Sequence, residues 1–218
     1  MALLRGRLTD AVDHNRAAIG LLDDPADRSL LGDAWSNLGN AENLLGRRDE
    51  AIDHLKRALA LQEEVGNAVN AAKTLGILGN VHQAAGNVAR GVRFWREALG
   101  RHEAAGHRPG VLRMLGNLAV ADHALGALDD ASAGFGACAG LARELGEPLI
   151  EGIAHLNAGA VALEAGDDVR AEALLARARL VLGRTGARMY LARVAVWEAA
   201  ISLHGRSLDL ASRQLAHA

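Results

Sequence analysis

The sequence is poor in the residues that define several protein classes. It has one cysteine, three prolines and 3% aromatic residues among 218 residues. One cysteine cannot form an intramolecular disulfide, so a disulfide-stapled fold is excluded. The shortage of aromatic residues argues against a β-sandwich, whose core relies on aromatic and β-branched side chains. We therefore expect helices that pack closely through alanine, leucine and glycine.

The chain also lacks an excess of charge and a long apolar run. Its 24 basic and 26 acidic residues leave a net charge of −2, which gives no electrostatic reason to expect nucleic acid or an anionic membrane as the partner. No window approaches the roughly 18 consecutive apolar residues of a membrane helix. The first residues lack the apolar stretch of a signal peptide. These absences predict a cytoplasmic protein without contacts to membrane or nucleic acid.

Small and large apolar residues recur every 40 residues along the chain. The period runs through two glycine series, two series of small residues and one series of large apolar residues. The glycines are Gly6, Gly46, Gly86, Gly126, Gly166 and Gly66, Gly106, Gly146, Gly186. The small residues are Ala11, Ala51, Gly91, Ala131, Ala171, Ala211 and Ala18, Ala58, Ala98, Cys138, Ala178, Ala218. The large residues are Leu55, Trp95, Phe135, Leu175 and Leu215. This uninterrupted period predicts a repeat protein.

Each period divides into two amphipathic helices. Gly46 and its equivalents follow the first helix, and Gly66 and its equivalents follow the second, where a left-handed residue reverses the chain. The middle of the first helix carries Gly39, Gly79 or Gly159, which costs about 1 kcal/mol relative to alanine unless close packing compensates. We therefore predict about eleven helices, no sheet, and a neighbouring backbone packed against these mid-helix glycines.

The pattern resembles the tetratricopeptide repeat. Its offsets are matched by Trp35, Leu38, Gly39, Ala51, Leu55 and Ala58, and they recur in the next two repeats. The resemblance implies an all-α, right-handed superhelix of stacked antiparallel helix pairs. The period of 40 is similar to that of the longer variety found in kinesin light chain, Leu-Gly-Asn repeat proteins and the C-terminal arrays of bacterial transcription regulators. The expected single array over residues 1–218 comprises a partial repeat at 1–26, full repeats at 29–66, 69–106, 109–146 and 149–186, and a truncated repeat at 189–218.

Both ends of the array interrupt a repeat. The first residues correspond to a second helix whose first helix is absent, and the last helix stops short of its equivalents. Solenoids normally carry polar capping repeats at their ends. We therefore expect either a piece of a longer protein or a protein that self-associates through its unfinished ends.

Motifs for catalysis, cofactor binding and metal binding are absent, which predicts a protein that is not an enzyme and needs neither cofactor nor metal. His102 and His107 are separated by five residues with a glycine between them, and they are expected to be solvated at a helix end. Cys138 occupies a register position that is alanine in other repeats, which favours a buried small residue over a nucleophile.

The first helix of each repeat supplies the candidate binding residues, because first helices line the concave face of stacked helix pairs. Amide side chains donate and accept hydrogen bonds at once, which suits them to hold the backbone of an extended peptide. In the long-repeat relatives, asparagines line such a groove, and the resemblance implies that role for Asn40 and Asn80. The candidate peptide-binding residues are Asn37, Asn40, Asn43, Lys73, Asn80, Gln83, Arg113, Asn117, Asn157 and Trp197.

The expected function is a non-enzymatic scaffold that binds a peptide or protein segment in this groove. The alternative is a ligand-sensing or autoregulatory array of a larger bacterial transcription or signalling regulator. Replacing Asn40 and Asn80 should barely affect stability, because neither belongs to the apolar stripe. Trp197 would act as an apolar anchor in the C-terminal half of the groove.

Overall fold

The computed structural model describes the backbone of residues 2–22 and 24–216 and the side chains of residues 5–22, 24 and 26–203. In this part of the chain the secondary-structure elements are α-helices joined by short turns and one 3-10 helix at Pro25–Asp27, and no strand occurs in it. The helices are α1 Ala2–Leu21, α2 Arg28–Leu44, α3 Arg48–Glu64, α4 Ala68–Ala84, α5 Val88–Ala104, α6 Arg108–Ala124, α7 Leu128–Leu145, α8 Pro148–Glu164, α9 Asp168–Gly183 and α10 Arg188–Ala216. None of them is both long and apolar enough to cross a membrane. The expected all-α fold class is confirmed.

Apart from Gly6, which lies inside α1, the glycines of the two predicted series end the helices. From Gly46 to Gly186, the eight glycines at the turns have φ between 63° and 84°, a left-handed conformation that strains residues with a side chain. The last helix, α10, differs because it runs for 29 residues without a break. Arg206 stands where the register would place the next glycine. The described chain therefore has ten α-helices where about eleven were expected.

The chain divides into two compact units, residues 1–114 (unit 1) and 115–218 (unit 2). In unit 1, each of the helices α1 to α4 packs against the next helix in sequence. In unit 2, α7 packs against α8, α8 against α9 and α9 against α10. The antiparallel helix pair is thus the building block of both units.

The large apolar series forms the centre of the helix pairs. Leu55, Trp95, Phe135 and Leu175 are at most 2% exposed. The side chains of Leu215 and Ala211, and all of Ala218, lie outside the part of the chain that the structure describes. These large side chains fill the space beside the mid-helix glycines. A Cβ on Gly79 would lie 2.3 Å from Nε1 of Trp95.

The prediction that a neighbouring backbone packs against these glycines needs correction. A Cβ on Gly39 would lie 2.7 Å from Cγ of Leu55, and one on Gly159 would lie 2.9 Å from Cγ of Leu175. The nearest atoms therefore belong to the large side chain of the paired helix, with the carbonyl of Ala51 next, 3.0 Å from the Gly39 position. Since carbon atoms pack at about 3.5–4.0 Å, only glycine leaves room for the large side chain.

Candidate functional site

Four of the predicted binding residues line one cavity in unit 1. The cavity has a volume of about 310 Å³ and lies against α2, α4 and the beginning of α6. Asn37 and Asn40 come from α2, Lys73 from α4 and Arg113 from α6. The remaining lining residues are Asp33, Ser36, Gln62, Asn70 and Ile77. We call this space the unit 1 cavity.

A continuous hydrogen-bond network runs along the wall of the unit 1 cavity. Oδ1 of Asp33 accepts hydrogen bonds from Nδ2 of Asn70 at 2.7 Å and from Nε2 of Gln62 at 3.2 Å. Nζ of Lys73 donates to Oδ1 of Asn70 at 3.1 Å. The carboxylate of Asp33 therefore organises side chains from three helices, α2, α3 and α4.

The carboxylate of Asp33 also determines which groups donate and which accept in the buried hydrogen bonds of this network. An ionised carboxylate only accepts hydrogen bonds, so Gln62 turns its NH2 group to Asp33 and its Oε1 to Thr74. The single hydroxyl hydrogen of Thr74 goes to that Oε1 at 2.7 Å. Ser36 must therefore donate to Oγ1 of Thr74, 2.9 Å away. Each polar group in this buried chain has one assigned orientation.

The charges and amides of the unit 1 cavity suit a polar chain with some acidic character. Two cations, Lys73 and Arg113, line it together with a single carboxylate, Asp33. Asn37 is exposed and Asn40 is half-buried, so their amides can donate to carbonyl groups and accept from N–H groups of an occupant. The arrangement can hold a backbone by hydrogen bonds and place a carboxylate near the cations.

Asn80 has a contact inside the fold that the sequence did not reveal. It does not line the unit 1 cavity, and its Oδ1 accepts a hydrogen bond from Nε1 of buried Trp95 at 3.0 Å. The same indole N–H also reaches the carbonyl of Gly76 at 3.1 Å. The structure thus gives Asn80 a role in the interior that the apolar stripe did not suggest, and we expect its replacement to reduce stability, because the residue satisfies a buried donor.

The other predicted residues lie elsewhere. Asn43 and Gln83 are half-buried residues of unit 1 outside the cavity. Asn117, Asn157 and Trp197 belong to unit 2. Trp197 is half-buried and packs against the apolar cluster around Leu156, Leu175 and Val194, so part of its ring already contributes to the core.

A buried carboxylate in unit 1 was missed by the sequence analysis. Glu42 is fully buried. Its Oε2 lies 2.6 Å from Nδ1 of His54, and its Oε1 accepts from Nη2 of Arg16 at 3.2 Å. The bond to Arg16 ties α1 to α2. The sequence offered only a weak signal, because the same register position holds His82, Asp122 and Ala162 in the other repeats.

His102 corrects a second expectation. It is fully buried rather than solvated, and neither ring nitrogen has a hydrogen-bond partner among the described residues. Its ring lies 4.9 Å from that of His107. Burial, with smaller contributions from His107, Arg113 and Lys73, lowers the pKa of His102 to about 4, so the ring is neutral at pH 7. The predicted burial of Cys138 is confirmed, because the residue is 3% exposed, and this burial raises the pKa of its thiol to about 11.

Comparison with known proteins supports the resemblance stated from the sequence. Residues 30–90 match the model of the tetratricopeptide repeat family. No curated protein matches the chain. With this match and the structural likenesses below, the resemblance to tetratricopeptide repeat proteins is confirmed.

Solved structures share the fold over most of the chain. BtubC (BKLC) from P. vanneervenii is 23% identical with a TM-score of 0.74, covering 83% of this chain and 75% of BtubC. Aspartyl phosphate phosphatase F from Bacillus subtilis is 13% identical with a TM-score of 0.80, and 96% of this chain spans 59% of that protein. PlcR from Bacillus thuringiensis, solved with the peptide PapR7 and DNA, is 10% identical with a TM-score of 0.67, covering 90% of this chain and 69% of PlcR.

Proposed function

We propose that this chain is a non-enzymatic, cytoplasmic interaction scaffold that binds an extended peptide or protein segment in the unit 1 cavity. The observation that carries the proposal is the convergence of Asn37, Asn40, Lys73 and Arg113 on one open space. These residues come from three helices far apart in sequence. The asparagines hold backbone groups of the segment, and the two cations favour an acidic residue within it.

The hydrogen-bond network prepares the cavity for binding. Lys73 and Asn70 are held by the chain of bonds that leads to Asp33. Side chains that are already ordered lose less conformational freedom when a partner binds. Binding of the segment therefore carries a smaller entropic cost, because these side chains of the cavity wall are already ordered.

The test is a titration of the full chain with fluorescent heptapeptides, one set containing a central Asp-Glu pair and one set containing Asn-Gln in its place. Each amide contributes about 0.5–1.5 kcal/mol net, so Asn37→Ala/Asn40→Ala should weaken binding of the acidic set roughly tenfold. Lys73→Gln should reduce the preference for the acidic set, with Arg113 left as the second cation. The matched control is Asn87→Ala, which alters an exposed asparagine at a turn.

Equal affinity of the folded double variant and the wild-type chain would refute the proposal. So would an equal loss in Asn87→Ala, because that change leaves the cavity intact. Circular dichroism at 222 nm verifies folding of each variant. A binding loss without a folding loss then belongs to the cavity.

The second candidate is a sensor array of a larger bacterial transcription or signalling regulator. It is favoured by the likeness to PlcR, a protein solved with a bound peptide and DNA. In this version the occupant of the cavity controls another domain. Reading the full gene tests it, because a neighbouring DNA-binding or nucleotide-binding domain supports the sensor. Absence of nucleic acid contact by this chain and self-association through its ends stay predictions.

A further inference from the structure

A second cavity lies in unit 2, away from the residues of the proposed peptide site. It has a volume of about 410 Å³ and is bounded by the end of α7, the beginning of α8 and the end of α9. Its walls combine three arginines with the apolar side chains of Pro148, Leu180 and Val181. The arginines are Arg143, Arg177 and Arg184.

The three arginines form no ion pair with the side chains that the structure describes, although the buried Glu151 also lines the cavity. None of their guanidinium groups makes a hydrogen bond or ion pair with a side chain that the structure describes, in contrast to Arg101 with Glu63 and Arg179 with Glu198. Guanidinium groups bind carboxylate and phosphate oxygens in pairs. Three of them around one space therefore form an anion-attracting wall.

A buried glutamate and a half-buried histidine lie beside this wall. Oε1 of Glu151, another lining residue, lies 3.8 Å from Nε2 of His155. Burial lowers the pKa of His155, Glu151 opposes the effect, and Arg177 and Arg143 add to the lowering. Glu151, the single acidic residue among the lining residues, is buried, while the three arginines are exposed.

The repeat itself does not require this combination. Arg143 occupies the register position of Glu63 and Glu103, so the charge is reversed relative to unit 1. Leu180 occupies the position of Ala60, Gly100 and Gly140, and its side chain remains 61% exposed. Since the helix pairs form with small and acidic residues at these positions, packing does not explain an exposed leucine among unpaired arginines.

We infer that this cavity binds a small organic anion, one carboxylate or phosphate group attached to an apolar body. The arginines hold the anionic group, and Leu180, Val181 and Pro148 cover the apolar body. The site lies in unit 2 and shares no lining residue with the unit 1 cavity. The inference about this site is therefore independent of the proposed peptide binding.

Isothermal titration calorimetry of the full chain with octyl phosphate, octanoate, inorganic phosphate and acetate tests the inference. We expect one octyl ligand per chain, bound at least about tenfold more tightly than the ion that lacks the chain. A preference between octyl phosphate and octanoate identifies the head group, and either preference supports the site. Failure of both octyl ligands to bind overturns it.

Two matched pairs of variants locate the binding. Arg143→Gln/Arg177→Gln/Arg184→Gln should weaken the octyl ligands about tenfold or more, whereas Arg48→Gln/Arg96→Gln/Arg193→Gln, which removes the same charge from exposed arginines outside the cavity, should not. An equal effect of the two triple variants would show nonspecific attraction and reject the site.

The second pair tests the apolar wall. Leu180→Ala should weaken the octyl ligands about threefold, while Leu125→Ala, a change at a side chain that is 63% exposed elsewhere, should leave them unchanged. Both leucines are exposed, so neither variant threatens folding. Undiminished octyl binding by Leu180→Ala would contradict the proposed contact with the apolar body.

Discussion

The interiors of the two units differ in polarity although both are built from the same helix pairs. Among the residues whose side chains the structure describes, the buried polar residues of unit 1 are Ser36, Glu42, Gln62, Thr74, His82 and His102, and that of unit 2 is Glu151. Most equivalent register positions in unit 2 are apolar, with Asp122, at the register of Glu42 and His82, as an exception. The positions of Gln62 and His102 are taken by Ala142 and Leu182, and that of Thr74 by Ala154.

This difference shows that the helix pair tolerates both kinds of interior. An apolar interior needs only complementary shape, because dispersion and the hydrophobic effect have no direction. A polar interior is stable only when each donor and acceptor finds a partner. Unit 1 meets this demand around Thr74 and fails to meet it at His102. We therefore expect a larger response to pH and to isosteric changes in unit 1 than in unit 2, where His155 is the histidine with a lowered pKa.

The largest effect should be common to both units, because both rely on the large apolar series. Trp95→Ala removes a buried aromatic ring from unit 1 and should lose about 3–5 kcal/mol. Leu175→Ala in unit 2 should lose about 2–5 kcal/mol. Urea unfolding at pH 7 measures both, with exposed Leu125→Ala as the control. A wild-type midpoint for Trp95→Ala would show that this tryptophan is not part of the core.

The second largest effect should be a loss of stability at low pH that originates in unit 1. His102 has a folded pKa of about 4 against 6.5 when unfolded, so the unfolded chain binds more protons between these values. Above about pH 6.5 the ring is neutral in both states and His102 does not destabilise the fold. As the pH falls, protonation favours the unfolded chain, and below about pH 4 the free energy of unfolding is lower by about 3 kcal/mol. Replacement by leucine, the residue at position 182, should remove this loss.

Urea midpoints of the wild-type chain and His102→Leu at pH 7 and pH 4.5 measure the effect. The variant should gain on the wild-type chain as the pH falls, because other acid-sensitive groups are the same in both. An identical decline in the two proteins would mean that His102 does not titrate differently in the folded state.

A smaller effect should follow from an isosteric change in the buried network. Thr74→Val keeps the shape but leaves Oε1 of Gln62 without a donor and the hydroxyl of Ser36 without its acceptor. We expect a loss of about 1–3 kcal/mol. Urea unfolding of the variant measures it, and Ser132→Ala in unit 2, at a half-buried side chain that accepts from Arg170 at the surface, should change little. A neutral Thr74→Val would show that the network adds no stability.

The smallest effect should distinguish two asparagines that look equivalent in the sequence. Asn80→Ala removes one of the two acceptors of the indole N–H of Trp95 and leaves the carbonyl of Gly76 as the other. We therefore expect the free energy of unfolding to fall by about 0.5–1.5 kcal/mol. Asn40→Ala should leave the melting temperature unchanged. Differential scanning calorimetry compares them, and equal values would contradict the structural role of Asn80.

Much of the fold was predictable because helix ends and helix contacts are encoded locally. Gly46 and Gly66 end helices through their own backbone freedom, and the spacing of Leu55 from Ala51 and Ala58 places all three on one helix face. The continuous α10 was not predicted, because the 40-residue period led us to expect a turn near position 206 although no glycine stands there. The site was predictable in part, because the spacing of Asn37 and Asn40 identifies a face but not its neighbours.

The sequence by itself determined the repeat, the turns, the all-α class and the residues of the central apolar series, because each depends on the chain's own periodicity. Only the tertiary structure decided what the polar residues do. It joined Asp33 to Asn70, buried His102 without a hydrogen-bond partner among the described residues, and assigned Asn80 to Trp95. Hydrogen bonds depend on distances of about 3 Å between atoms of different helices, and a period of 40 residues specifies which helices meet but not which atoms do.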